Sequence, residues 1–261
     1  MAQDNSQQKA KKLISSGAEV AGAAIGGALG FIAAGPIGAG AASALGVVIT
    51  RTIARTADKM MSDGERVRVG TVAAIAVDQI REKIESGHIP RNDFFGQSEK
   101  AKEIGSKLFE GVLIKARDEY EEKKIQYLGR FFANLVFAQD VSSSVASLLI
   151  KTFDRLTYRQ LVLLALIHRH GVIDFQNLRG QSHPVPELEA LKREEMDLHD
   201  SNLGAAGLVH GIGSYEDKLN SLGTILVELG EINRISEGET EEILNLISLC
   251  PKTDGLKSGY E

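Results

Sequence analysis

The spacing of apolar residues reads as helix through most of this chain. Ser62-Asp63-Gly64-Glu65 has the form of a capping box, in which Ser62 accepts from the backbone at Glu65 while Glu65 reaches back. It predicts a helix to Glu85 or Ser86 that stops at Gly87, the residue type preferred just past a helix end. The apolar centre of that helix, Val69 to Val77, is too short to cross a bilayer. A loop holding Pro90 and Phe94-Phe95 follows. From Ser98 to about Gln139, Ile104, Leu108 and Val112 recur every four residues. Ile125, Leu128, Phe132 and Leu135 then hold three-four spacing, so a long two-part helix is expected. The charged stretch Asp118 to Lys124 between the parts reads as solvent-facing, and Asp140 to Ser144 caps a shorter helix ending near Arg155.

A second capping box, Thr157-Tyr158-Arg159-Gln160, precedes the run Leu161 to Ile167 and Gly171. The loop to Pro186 is irregular. Beyond it the pattern predicts a charged helix over 187–202, a short strand at Leu208 to His210 and a turn-rich excursion from Gly211 to Lys218. Helices from Ser221 to Leu229 and from Ser236 complete the region, before a polar tail over 251–261. Helix, loop, helix, strand, extended turn and helix together suggest a winged-helix-like α+β module at 157–250.

The amino-terminal pattern differs from all of this. After a polar arm at 1–16, residues 20–50 carry no ionisable side chain, and 18 of these 31 positions are Gly or Ala. Small residues recur every four positions through Gly22, Gly26, Gly30, Ala34, Gly38, Ala42 and Gly46, which places them on one helix face. Such a face lets a second helix backbone approach closely, as small-xxx-small packing in lipid requires. Gly35-Pro36 reads as a turn, one helix ending at Gly and the next starting at Pro, so a hairpin of about 18–34 and 36–58 is expected. One continuous kinked helix is the competing reading, since the four-residue phase runs through Pro36. A soluble, tightly packed hairpin is the other alternative. Eight glycines in this stretch, each costing about 1 kcal/mol against Ala in a helix, weaken that soluble form.

Charge supports the lipid reading. Residues 1–60 hold six Lys/Arg and three Asp/Glu, a balance of +3, and Lys9, Lys11, Lys12, Arg51, Arg55 and Lys59 bracket the uncharged run. Basic flanks on both sides match an insert whose two ends stay in the cytoplasm. The apolar run is longer than a signal-peptide core and begins late, after Glu19, so it does not read as a leader. The single cysteine, Cys250, rules out an intrachain disulfide. Residues 61–156 balance fifteen basic with fifteen acidic side chains and read as a helical middle and oligomerisation domain.

Candidate chemistry is sparse. The chain lacks a nucleophile elbow, a His-Glu-x-x-His helix, a P-loop and a dinucleotide fingerprint, so it is read as a non-enzyme without a cofactor. Glu194, Glu195, Asp197, His199 and Asp200 resemble a metal cluster. Glu195 and His199 are four apart, but without a second His or a Glu-x-x-His partner the group reads as an exposed helix face. An anionic ligand would find its cations at Arg66, Arg68, Lys123, Lys124 and Arg130. The 187–202 helix has six acidic and two basic residues, which argues against sequence-specific duplex DNA binding.

The stretches Glu119-Tyr120-Glu121-Glu122-Lys123-Lys124, Tyr127-Leu128-Gly129, Phe132-Ala133-Asn134-Leu135 and Thr157-Tyr158-Arg159-Gln160-Leu161 resemble bacterial abortive-infection proteins of the Abi-alpha type over about 62–235. The resemblance implies an antiphage membrane effector, in which a soluble sensor is attached to a toxic membrane segment. It further implies a nucleotide or oligonucleotide signal for the middle domain. The combined expectation is a mainly α chain with a glycine-zipper transmembrane hairpin at 17–60. It would be a homo-oligomeric pore in the bacterial inner membrane, with both termini cytoplasmic. The alternative is a cytoplasmic winged-helix adaptor or regulator that binds protein or DNA.

Overall fold

A computed structural model describes residues 41–57, 62–179, 183, 185–199, 207–211 and 216–250. The described residues are mainly helical, with one small three-stranded antiparallel sheet. They fall into two compact units that meet between Asp154 and Arg155. Gly22, Gly26, Gly30, Ala34, Gly35, Pro36 and Gly38 lie outside the described residues, so the hairpin turn and most of the small-residue stripe do too.

The first unit begins with α1 (Ala41–Ala57), followed by α2 (Asp63–Glu85), α3 (Asn92–Phe95), α4 (Glu99–Asp118), α5 (Glu122–Leu135) and α6 (Ser143–Arg155). Leu45, Val48, Ile49 and Ile53 recur at three-four spacing on α1 and are buried, with α1 packed on α4 and α3. Gly46 is buried as well, while Val47, Arg51 and Arg55 face outward. Thr52 and Thr56 also lie on the buried face, and each hydroxyl donates to the carbonyl four residues back, at 2.7 and 2.9 Å. The helix thus satisfies its own buried hydroxyls. Among the described residues, no helix is long and apolar enough to cross a membrane.

The capping box at Ser62 forms as its spacing predicts, and α2 ends before Gly87, whose φ of +88° is the left-handed conformation glycine tolerates. The expected loop around Phe94-Phe95 instead contains α3, a single turn held by Arg91. That guanidinium is buried, lies 3.6 Å over the Phe94 ring and donates to the carbonyls of Ala138 and Val141. Ser98 caps α4 by accepting from Ala101. The expected two-part helix is two helices, because Glu119 and Glu121 adopt extended backbone between them. The stretch faces solvent as expected at Asp118, Tyr120, Glu122 and Lys123, but Glu119 and Lys124 depart from that expectation. Glu119 turns inward, accepts from the Glu121 N–H at 2.8 Å and pairs with Lys124, and both of these side chains are buried. Aromatic packing fills the space between the helices: Phe109 stacks on Phe132 at 4.2 Å, and Phe95 meets Phe132 edge-on at 5.8 Å.

The second unit is built around α7 (Tyr158–His170), whose residues Gln160 to Ile167 are all buried. A helix apolar on every side must be surrounded. Around it pack α9 (Pro186–Met196), β3 (Glu216–Leu219), α10 (Ser221–Gly230), the 3-10 turn Ile232–Arg234 and α11 (Glu237–Ser248). The remaining elements are β1 (Ile173–Asp174), the one-turn α8 (Gln176–Arg179) and β2 (Val209–Gly211). The sheet order is β1-β3-β2, with Ile173 opposite Asp217, and Asp217 opposite Gly211. Sequence spacing anticipated one strand; β1 and β3 are too short to show alternation. The capping box at Thr157 forms as expected, Ser236 caps α11 by accepting from the Glu239 N–H, and the charged helix ends at Met196 rather than 202.

Where α2 and α5 touch, Gly129 is the point of approach. A β-carbon there would lie 2.9 Å from Ile75 and 3.0 Å from the Val72 carbonyl oxygen. Gly129→Ala should therefore cost about 1–3 kcal/mol of first-unit stability, the range for overpacking. Urea unfolding followed by circular dichroism measures this, and a variant as stable as wild type would contradict the packing described.

Candidate functional site

Four charged or titratable side chains meet inside the second unit: Arg179, Glu195, His199 and Asp217. Glu195 is 1% and Asp217 0% exposed. Each is brought there by a distinct local cause. Arg179 is the last residue of α8, whose turn is closed by its N–H donating to the Phe175 carbonyl at 2.9 Å; its guanidinium lies over the Phe175 ring. Glu195 lies in the last turn of α9, which is fastened to the start of α7 by Thr157 donating to the Glu194 carboxylate and Gln160 donating to its carbonyl. His199 follows the helix end, where the Leu198 carbonyl accepts from the N–H groups of Leu208 and Val209, so chain leaving α9 is stitched to β2. Asp217 sits on β3, the middle strand, on its inward face, while its neighbours Glu216 and Lys218 are exposed.

Arg179 grips Glu195 with two nitrogens, Nε to Oε2 at 2.9 Å and Nη2 to Oε1, while the same Nη2 donates to Asp217 Oδ2. His199 Nε2 lies 2.9 Å from Asp217 Oδ2 and 3.2 Å from Glu195 Oε1. These two bonds, Asp217 first, raise the imidazole pKa to about 9 against the opposing effects of burial and Arg179. Burial alone would raise the Asp217 carboxyl, but the bond from His199 and the charge of Arg179 outweigh it and hold the group below the ordinary carboxylate range. Asp217 Oδ1 is buried without a hydrogen-bond partner. Two carboxylates facing a guanidinium and an imidazolium leave the cluster neutral, which is the condition for burying so many charges.

The sequence expectation for Glu195 and His199, an exposed helix face, is overturned because α9 stops at Met196 and turns its last carboxylate inward. The two residues that complete the cluster were missed. Asp217 lies 18 residues beyond His199 and Arg179 lies 16 before Glu195, so no local spacing links them. The five cations expected to meet an anion are distributed differently. Arg66 and Lys123 are exposed, and Arg68 donates to the Arg117 carbonyl through Nη2 at 2.6 Å. Lys124 is buried against Glu119, and Arg130 is buried 5.4 Å over the Tyr127 ring. Lys124 and Arg130 are thus part of the first unit's interior packing. Ala42 and Gly46, the described end of the small-residue stripe, lie on α1.

Comparison of the chain with protein-family models, curated proteins and solved structures found no match.

The raised His199 pKa has a defined stability consequence. A group whose folded pKa lies above its ordinary 6.5 stabilises fully below that value, and the contribution is lost as pH climbs through about 9. The second unit should lose melting temperature between pH 6.5 and 9.5, and His199→Gln should flatten that slope. Thermal scans across this range test it; an equal slope in both proteins would contradict the assignment.

Proposed function

We propose that this chain is a non-enzymatic membrane effector whose small-residue segment assembles copies of itself into a pore. The observation that carries the reading is the uncharged run over residues 20–50, with small residues every fourth position and basic residues on either side. A glycine-lined face offers little to a water-soluble core but permits close backbone contact between helices in lipid.

The packing of α1 supports a two-state form of this proposal. Its aliphatic face, Leu45, Val48, Ile49 and Ile53, is covered by neighbouring helices of the same unit. The same face suits lipid, and Thr52 and Thr56 carry their hydroxyl bonds with them into either surrounding. In the closed state α1 stays docked on α4; in the open state it joins residues 18–40 in the bilayer. A trigger then needs only to bind the undocked state more tightly than the docked one. An anionic signal, as the Abi-alpha resemblance implies, would meet Arg66 and Lys123 at the surface of the first unit.

Gly26→Leu with Gly30→Leu places two branched side chains on the small-residue stripe. The double variant should abolish membrane depolarisation in expressing cells, read with a potential-sensitive dye, and leave the circular dichroism of the chain unchanged. Depolarisation at the wild-type level would overturn the pore.

A second reading has one observation in its favour. The order helix, strand, helix, helix, strand, strand, with sheet order β1-β3-β2, is that of a winged helix, the module of many regulators. In this reading α9 would be the recognition helix, yet it holds four carboxylates and two cations. Phosphate neutralisation dominates DNA affinity, so a duplex should bind weakly if at all. Anisotropy with a labelled random duplex at about 50 mM salt should show no saturable binding; tight, salt-sensitive binding would move the reading to a DNA-binding regulator.

A further inference from the structure

We propose that Glu195, His199 and Asp217 form a binding site for a divalent transition-metal ion, which enters by displacing the Arg179 guanidinium. The donor set is one imidazole nitrogen and two carboxylates, chemistry that suits Zn2+, Mn2+ or Co2+. The three donor atoms lie within 4.8 Å of one another. The Nε2 atom of His199 is 2.9 Å from Asp217 Oδ2 and 3.2 Å from Glu195 Oε1. Neighbouring ligands around a tetrahedral ion with bonds of about 2.0–2.1 Å sit roughly 3.3–3.4 Å apart, so little movement is needed.

Arg179 marks where the ion would go. Its Nη2 contacts Glu195 Oε1, Asp217 Oδ2 and His199 Nε2 together, which makes it a resident cation at the point where the three donors converge. Metal entry displaces the Nε2 proton of the imidazolium together with the guanidinium, and the Nε2 lone pair then points to where Nη2 now sits. The guanidinium also leaves the carboxylates unequally served. It holds Glu195 as a fork but reaches Asp217 through one nitrogen, and Asp217 Oδ1, in a side chain with 0% exposure, has no partner. A buried acceptor left unpaired costs free energy, and a metal that binds both oxygens removes the cost. Charge balances as well: two carboxylates, a neutral imidazole and a divalent ion sum to zero, so Arg179 can leave. Its side chain is 14% exposed, so a path to water exists. The site is assembled from α9, the chain after it and the middle strand, so an occupied state would tie helix to sheet.

The experiment is calorimetric titration of the full chain with Zn2+ at pH 7.5, with Co2+ absorption as a readout of tetrahedral geometry. Wild type should bind one ion per chain. Arg179→Gln removes the competitor but leaves two buried carboxylates, so it should melt lower in chelator, recover on adding Zn2+ and bind at least tenfold more tightly. His199→Gln and Asp217→Asn should lose the site. Crystals of wild type grown with zinc chloride locate the ion without any variant, by its anomalous signal between the three side chains. An anomalous peak elsewhere, stoichiometric binding indifferent to His199→Gln, or no binding by folded Arg179→Gln would each overturn the proposal.

Discussion

The arrangement of the first unit depends on a single constraint: the aliphatic face of α1 has to be covered. Four aliphatic side chains at helical spacing would otherwise meet water, at a cost of roughly 1.5–3 kcal/mol for each one fully exposed. In the described state, α4 and α3 provide the cover. The upstream part of the same uncharged segment sets Val20, Ile25, Leu29 and Ile32 beside a stripe of Gly and Ala. Such a stripe permits backbone approach, which matters most where lipid removes the hydrophobic drive between helices. The proposed two-state effector joins that stripe to a helix whose aliphatic face is covered in the described state.

The second unit solves another problem. Three short strands and an α7 buried from Gln160 to Ile167 leave little room for charge, yet a carboxylate sits on the middle strand. It persists because Arg179 and His199 neutralise it and Glu195 completes the balance. Removing one partner from such a cluster leaves an uncompensated buried charge, which is why these groups act as a unit rather than as independent bonds. The cluster also fixes α9 to the sheet with oriented, charge-assisted contacts, a more specific register than apolar packing alone would set.

Local chemistry was legible along the chain, and long-range chemistry was not. Ser62, Thr157 and Ser236 declared their helix starts because a cap and its partner lie three residues apart. Gly87 declared a stop for the same local reason. The break between α4 and α5 was half visible: the charged stretch marked an interruption, but the inward turn of Glu119 depends on Lys124 from the next helix. The strands β1 and β3, of two and four residues, are stabilised by pairing with each other and, for β3, by packing on α7 rather than by any periodic pattern of their own. The buried cluster was hidden for a related reason. Its members come from a one-turn helix, a helix end, a connecting segment and a strand, and only the folded unit makes them neighbours.

The most direct measurement uses the absence of tryptophan from this chain. Phe31→Trp places a unique fluorophore in the small-residue segment, where bromine-labelled lipids can report its depth. The account predicts a blue-shifted emission on adding vesicles, quenched by bromines placed along the acyl chains, and the same tryptophan unquenched in vesicle-free buffer. Emission that ignores the vesicles at every lipid concentration would contradict a membrane-entering segment and, with it, the effector reading.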